Sequence, residues 1–167
     1  MVESVVNAIV SFFKDSIPKE LVVFLISMVP ILELRGGMIA ASLLDVELVR
    51  ALVICYIGNI LPIPFILLFI RKIFQFLKRF EKVGTAIEKL EIRSMRKSEN
   101  VKKYRFWGLF AFVGIPLPGT GGWTGALIAS LLDMRIKLSF PAIALGVLAA
   151  DLIMAIFSYG LLGVLGL

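Results

Sequence analysis

Four long apolar blocks, at about 20–44, 47–70, 106–132 and 137–165, constrain this chain more than anything else in it. Each is long enough to cross a hydrocarbon core about 30 Å thick, which takes about 20 helical residues. Composition removes the alternatives. The chain has 167 residues, of which 59% are apolar and 18% charged. A soluble domain this short leaves a large part of its surface wet and has too little interior for that apolar content. A disordered chain is poor in apolar residues, not rich in them. An integral membrane protein is the class that remains.

Charge is distributed unevenly. The net charge is +6, and 12 of the 18 basic residues fall between Arg71 and Arg105, against four acidic ones. That excess marks 71–105 as a cytoplasmic linker by the positive-inside rule, and it makes nucleic acid an unnecessary partner. Ile73, Phe74, Leu77 and Phe80 form an apolar stripe beside Lys72, Lys78, Arg79 and Lys82, the pattern of a basic amphipathic helix lying on an anionic leaflet. The run from Arg93 to Lys103 reads as a loop or frayed helix. Residues 1–19 read as an interfacial helix, with Val5, Val6, Ile9, Phe12 and Phe13 at helical spacing and Pro18 as its end. A cap packed on the bundle fits that segment equally well. Glu3 and the short apolar stretch after it argue against a signal peptide.

Several chemistries are excluded by residue type. There is one cysteine, Cys55, and no histidine. No disulfide, metal cluster or histidine-based triad can be built within the chain, so proton chemistry must use carboxylates. An enzyme is therefore not expected, and neither is a cofactor or a metal.

The two pairs of blocks are related. At an offset of 88, Leu21 falls on Leu109, Phe24 on Phe112, Pro30 on Pro118, Gly37 on Gly125, Gly58 on Gly146 and Phe69 on Phe157. Ala41-Ser42-Leu43-Leu44-Asp45 falls on Ala129-Ser130-Leu131-Leu132-Asp133 without a mismatch. Five consecutive identities with a proline and two glycines in register indicate an internal repeat.

The first block of each pair is interrupted. Pro30, Glu33, Arg35, Gly36 and Gly37 sit at the middle of one, and Gly114 to Gly125 carries two prolines and a cluster of glycines in the other. No continuous helix survives the second stretch. Each block is expected to form a re-entrant helical hairpin. The fold class is then an all-α membrane protein, an inverted repeat of two halves, each a re-entrant hairpin plus one transmembrane helix. One membrane domain would run from an interfacial 1–19 through repeat 20–70 and linker 71–105 to repeat 106–167. Asp133, beside Arg135 and Lys137, would lie inside and Asp45 outside. Two kinked full spans would instead place both aspartates outside.

Charged residues at membrane depth are costly and by default functional or paired. Glu33 and Arg35 in an unwound turn could point into one cavity, Glu33 titrating a proton and Arg35 holding an anionic group. Alternatively, Glu33–Arg35 or Arg35–Asp151 forms a structural ion pair. Asp151, mid-span among Leu148, Ala149, Ala150, Leu152 and Ile153, is the second proton-relay candidate. The second break, with Pro118, Gly119, Thr120, Gly121, Trp123 and Thr124, offers backbone N–H groups, hydroxyls and a ring. Gly36 and Gly37 complete the candidate substrate-binding set. Asn59 is expected to make a helix–helix hydrogen bond, and Pro62 and Pro64 to kink their span.

Three stretches resemble the small multidrug export family of prokaryotic membrane proteins: Met28 to Gly37, Gly58 to Phe65, and Ile115 to Ala129. The last departs only at Gly122, where alanine is more usual. That family is in turn similar to DedA-type membrane proteins. The resemblance implies paired re-entrant hairpins and transport of a polyprenyl-phosphate-like or phospholipid substrate. The expected function is a small secondary transporter, binding an amphiphilic or anionic lipid-like substrate or drug between two opposed hairpins, with proton coupling. A non-transporting scaffold that organises lipids is the alternative. Membrane lipids, and a second copy in a homodimer, are the expected partners.

Overall fold

The computed structural model describes residues 2–13, 17–117 and 119–160. Pro118, of the candidate substrate-binding set, lies outside them. The described residues form helices and no strand. They fall into two compact units, residues 1–61 with 147–167 and residues 62–146.

Two helical stretches are long and apolar enough to cross a membrane, Leu48–Leu77 and Ile136–Gly160. Only 28% and 39% of their most apolar stretches are buried, whereas the core helix of a soluble protein is mostly buried. Val49, Val53, Ile57, Leu61, Phe65 and Leu68 are exposed at three- and four-residue spacing along the first. Leu145, Leu148, Leu152 and Ile156 do the same along the second. Cys55, Asn59, Asp151 and Ser158 are buried instead. Apolar side chains outward and polar ones inward is the arrangement that a lipid solvent favours.

In the first unit, α1 (Val2–Phe13) packs on α3 (Glu33–Leu43). Val6 and Val10 are its buried residues, while Val5 and Phe12 are exposed. Its buried face is thus that of a packed helix. α2 (Lys19–Met28) and α3 form a hairpin, and α4 (Leu48–Ile60) covers both. The Lys19 ammonium at the start of α2 donates to the Asp45 carbonyl just after α3, at 2.7 Å, which ties the hairpin's two ends together. The break between the arms is short, 29–32. Glu33, Arg35, Gly36 and Gly37 lie in the first turns of α3, which corrects the expectation of an unwound turn there. The helix survives its glycines because both face neighbours that a side chain would strike.

In the second unit, α5 (Ile63–Leu77) continues after Leu61 and Pro62. Pro64 sits in its first turn, where a missing N–H costs nothing. The apolar helix therefore runs seven residues past the expected end at 70. α6 (Glu81–Arg96) and α7 (Glu99–Tyr104) follow, so the run 93–103 is largely helical rather than a loop. Ile87 of α6 is buried with Phe74 and with Leu127, which anchors the linker to protein. α8 (Phe106–Gly114) and α9 (Gly122–Leu131) form the second hairpin. α10 (Ile136–Ala155) begins in this unit and ends in the first, continuing as a π-helical turn to Gly160.

The two hairpins share internal packing. A Cβ on Gly58 would meet the Phe24 carbonyl and the Ser27 side chain, at 2.9 and 3.0 Å. A Cβ on Gly146 would meet the Phe110 carbonyl and Val113, at 2.9 and 2.8 Å. Likewise Gly37 faces Ser27 and Cys55, and Gly125 faces Val113 and Ile143. In the first arm Phe24 thus corresponds to Phe110 and Ser27 to Val113, two residues short of the offset of 88. The ungapped pairing of Leu21 with Leu109, Phe24 with Phe112 and Pro30 with Pro118 is corrected accordingly. The extra residues belong to the longer second loop, 115–121. From Gly37 onward the offset of 88 holds, and the five-residue identity acquires a physical reason. Asp45 and Asp133 have φ of 50° and 53°. Val46 and Met134 donate to the carbonyls of Ala41 and Ala129, at 2.9 and 3.0 Å, and the aspartate amides to Ser42 and Ser130, at 3.3 and 3.1 Å. That pair of bonds is the Schellman cap, with aspartate as its left-handed residue.

Candidate functional site

The first unit buries several polar side chains among apolar ones. Ser27, Asn59 and Asp151 are at most 1% exposed, and Glu33 is 5% exposed. Ser27 reaches its place on α2 because Gly37 leaves no side chain opposite it. Its hydroxyl donates to the Val23 carbonyl at 2.8 Å. A side-chain hydrogen bond links it to Cys55, and Asp151 is near enough to act on the thiol by charge. Asn59 lies one turn beyond Cys55 on α4, hence on the same face. Neither carboxylate oxygen of Asp151 has a hydrogen-bond partner among the described residues, and neither does the Asn59 carboxamide. Among the described residues the expected helix–helix bond from Asn59 is therefore absent, and Asp151 accepts no hydrogen bond from Arg35. Arg35, half-buried, interacts by charge with Glu33. Glu33 itself has φ 49°, a left-handed conformation that a long side chain rarely adopts. Backbone strain of this kind persists where surrounding structure holds it, and it clusters at functional positions.

The second unit holds the other break. Thr120 closes this loop: its hydroxyl lies 2.8 Å from the Ile115 and Leu117 carbonyls and accepts the Leu117 amide at 3.1 Å. Gly119 and Gly121 take φ of 79° and 137°, which only glycine does without strain. Lys97, before α7, donates to the Gly119 carbonyl at 2.8 Å. Trp123 and Thr124 are half-buried in the first turn of α9.

The profile of the small multi-drug export protein family matches residues 33–153. The chain belongs to that family. No curated protein and no solved structure matches it.

The family match begins at Glu33 and reaches just past Asp151, so it contains Glu33, Arg35, Asn59, Asp151 and the second loop, and leaves out Ser27. Within this family member, the fold gathers Glu33, Arg35, Gly36, Gly37 and Asp151 into the first unit, and Gly119, Thr120, Gly121, Trp123 and Thr124 into the second. Gly36 and Gly37 are packing positions: a Cβ would come within 2.7 Å of Leu32 at the first and would overlap Ser27 Oγ at the second. Sequence reasoning passed over Ser27 and Cys55. The one available signal was their isolation as weakly polar residues in apolar helices, and it does not say which way they face.

Proposed function

We propose that this membrane protein is a secondary transporter that exports an amphiphilic or anionic, lipid-like compound, with Asp151 and Glu33 as its proton-carrying groups. One observation carries the reading: Asp151 is buried in a lipid-facing helix with both carboxylate oxygens unpartnered among the described residues. A carboxylic acid so placed destabilises the fold, and in membranes such residues mark ion and substrate pathways. Arg35 would bind the anionic group of the substrate through its planar fork. The match to an export family supports the direction of transport.

The architecture we infer is the inverted repeat of two re-entrant hairpins. Helices of 10 and 11 residues, α2 and α3, extend roughly 15 Å each, half of the hydrocarbon core. The Lys19–Asp45 bond supports return of the first hairpin to the level where it started. The ion pair between Arg71 and Asp133 supports a position for Asp133 within about two turns of the end of the first spanning helix, as inversion requires.

Proteoliposomes with an imposed pH gradient test the function, using a short-chain fluorescent anionic phospholipid and the cationic amphiphile ethidium as probes. Arg35→Ala should lower flux of the anionic probe at least tenfold. Glu33→Gln and Asp151→Asn should abolish its dependence on the gradient. Unchanged flux in all three variants would leave a lipid-organising scaffold as the better reading.

A further inference from the structure

A cavity of about 750 Å³ opens in the second unit, at the base of the second hairpin. Lys102 of α7 and Arg105 border it on one side, and Arg135 and Lys137, at the start of α10, on the other. All four are exposed, and none hydrogen-bonds or ion-pairs through its side chain with a described residue. The one carboxylate in the lining, Asp133, is already paired with Arg71. The cavity therefore holds four uncompensated cations. Its remaining wall is apolar, with Leu132 and Leu138 half-buried.

Placement tells what such a cavity would meet. Ile136 begins one of the two helices long enough to cross a membrane, so Arg135 and Lys137 flank that helix at the level of lipid phosphates. The first turn of α10 contains no acidic residue, and its free N–H groups add positive potential. Like-charged side chains repel unless an anion sits among them, and the apolar wall suits the start of an acyl chain.

We propose that this cavity is a binding site for the phosphate headgroup of an anionic phospholipid. The headgroup would bridge Arg105, which opens α8, to Arg135, which follows α9, and so fasten the two ends of the hairpin. This site does not depend on the transport reading, since a bound lipid here is required neither by export nor by proton coupling.

Native mass spectrometry of the detergent-purified full chain tests it, after incubation with phosphatidylglycerol or phosphatidylcholine. The wild type should retain one phosphatidylglycerol in preference to phosphatidylcholine. Arg105→Gln with Arg135→Gln should weaken retention roughly 30-fold, at about a fivefold loss for each cation removed at a membrane surface. Arg105→Lys with Arg135→Lys should restore most of it. Lys89→Ala with Arg93→Ala, basic positions outside the cavity, should leave it unchanged. Equal loss in that control pair would show diffuse attraction to the basic surface and overturn the proposal. Displacement of the lipid by millimolar inorganic phosphate would assign the site to free phosphate and overturn the lipid reading. A melting temperature that phosphatidylglycerol raises in the wild type and the lysine pair, but not in the glutamine pair, keeps the test independent of any loss of folding.

Discussion

At Gly37 a single missing atom decides the packing of the first unit. A methyl group there would overlap Ser27 Oγ and lie 2.9 Å from Cys55 Sγ. Gly37→Ala should lower stability by about 1–3 kcal/mol, read as a lower melting temperature in detergent, because overpacking forces neighbours apart. Removing the hydroxyl as well, with Ser27→Ala, should recover part of that loss. The aspartate caps give the opposite sign. Asp45 holds φ 50°, so Asp45→Gly should raise stability by about 0.5–1 kcal/mol by relieving left-handed strain. Asp133→Gly should gain less, because Asp133 also pairs with Arg71. A larger rise for Asp133→Gly than for Asp45→Gly would contradict this account. At this scale the sequence exposed the repeat of Asp45 and Asp133 but not its cause, since identity in a string says nothing about φ.

The hairpins are the elements on which the candidate residues are mounted. Their breaks were legible, because proline and glycine act locally on the backbone. Their extent was not. Beyond Glu33, whose φ is left-handed, Leu34 to Gly37 are helical because tertiary contacts at Gly36 and Gly37 outweigh glycine's poor propensity. The second loop is held by Thr120, whose hydroxyl bonds both Ile115 and Leu117. Thr120→Val should cost about 1 kcal/mol and speed hydrogen exchange at the Leu117 amide, which donates to that hydroxyl. Thr120→Ser should preserve both. A greater loss for Thr120→Ser than for Thr120→Val would mean that the methyl group, not the hydroxyl, closes the loop.

For the whole molecule, the inferred topology makes a sided prediction. In a Cys55→Ala background, single cysteines at positions 45 and 133 should react with an impermeant thiol reagent from opposite faces of the membrane. Labelling of both from one face would sink the inverted arrangement. The sequence by itself determined that this chain is a helical membrane protein with two interrupted segments, because apolar length and backbone-breaking residues are properties of short stretches. It also singled out Glu33, Arg35 and Asp151, because charge among apolar residues is visible in a string. Only the tertiary structure decided that Asp151 and Asn59 are left without partners among the described residues, and that Ser27 and Cys55 share their unit's interior. It alone brought Arg105 and Arg135 to one cavity. Those facts depend on which helix faces meet, and side-chain direction in three dimensions is fixed by packing between segments distant in sequence.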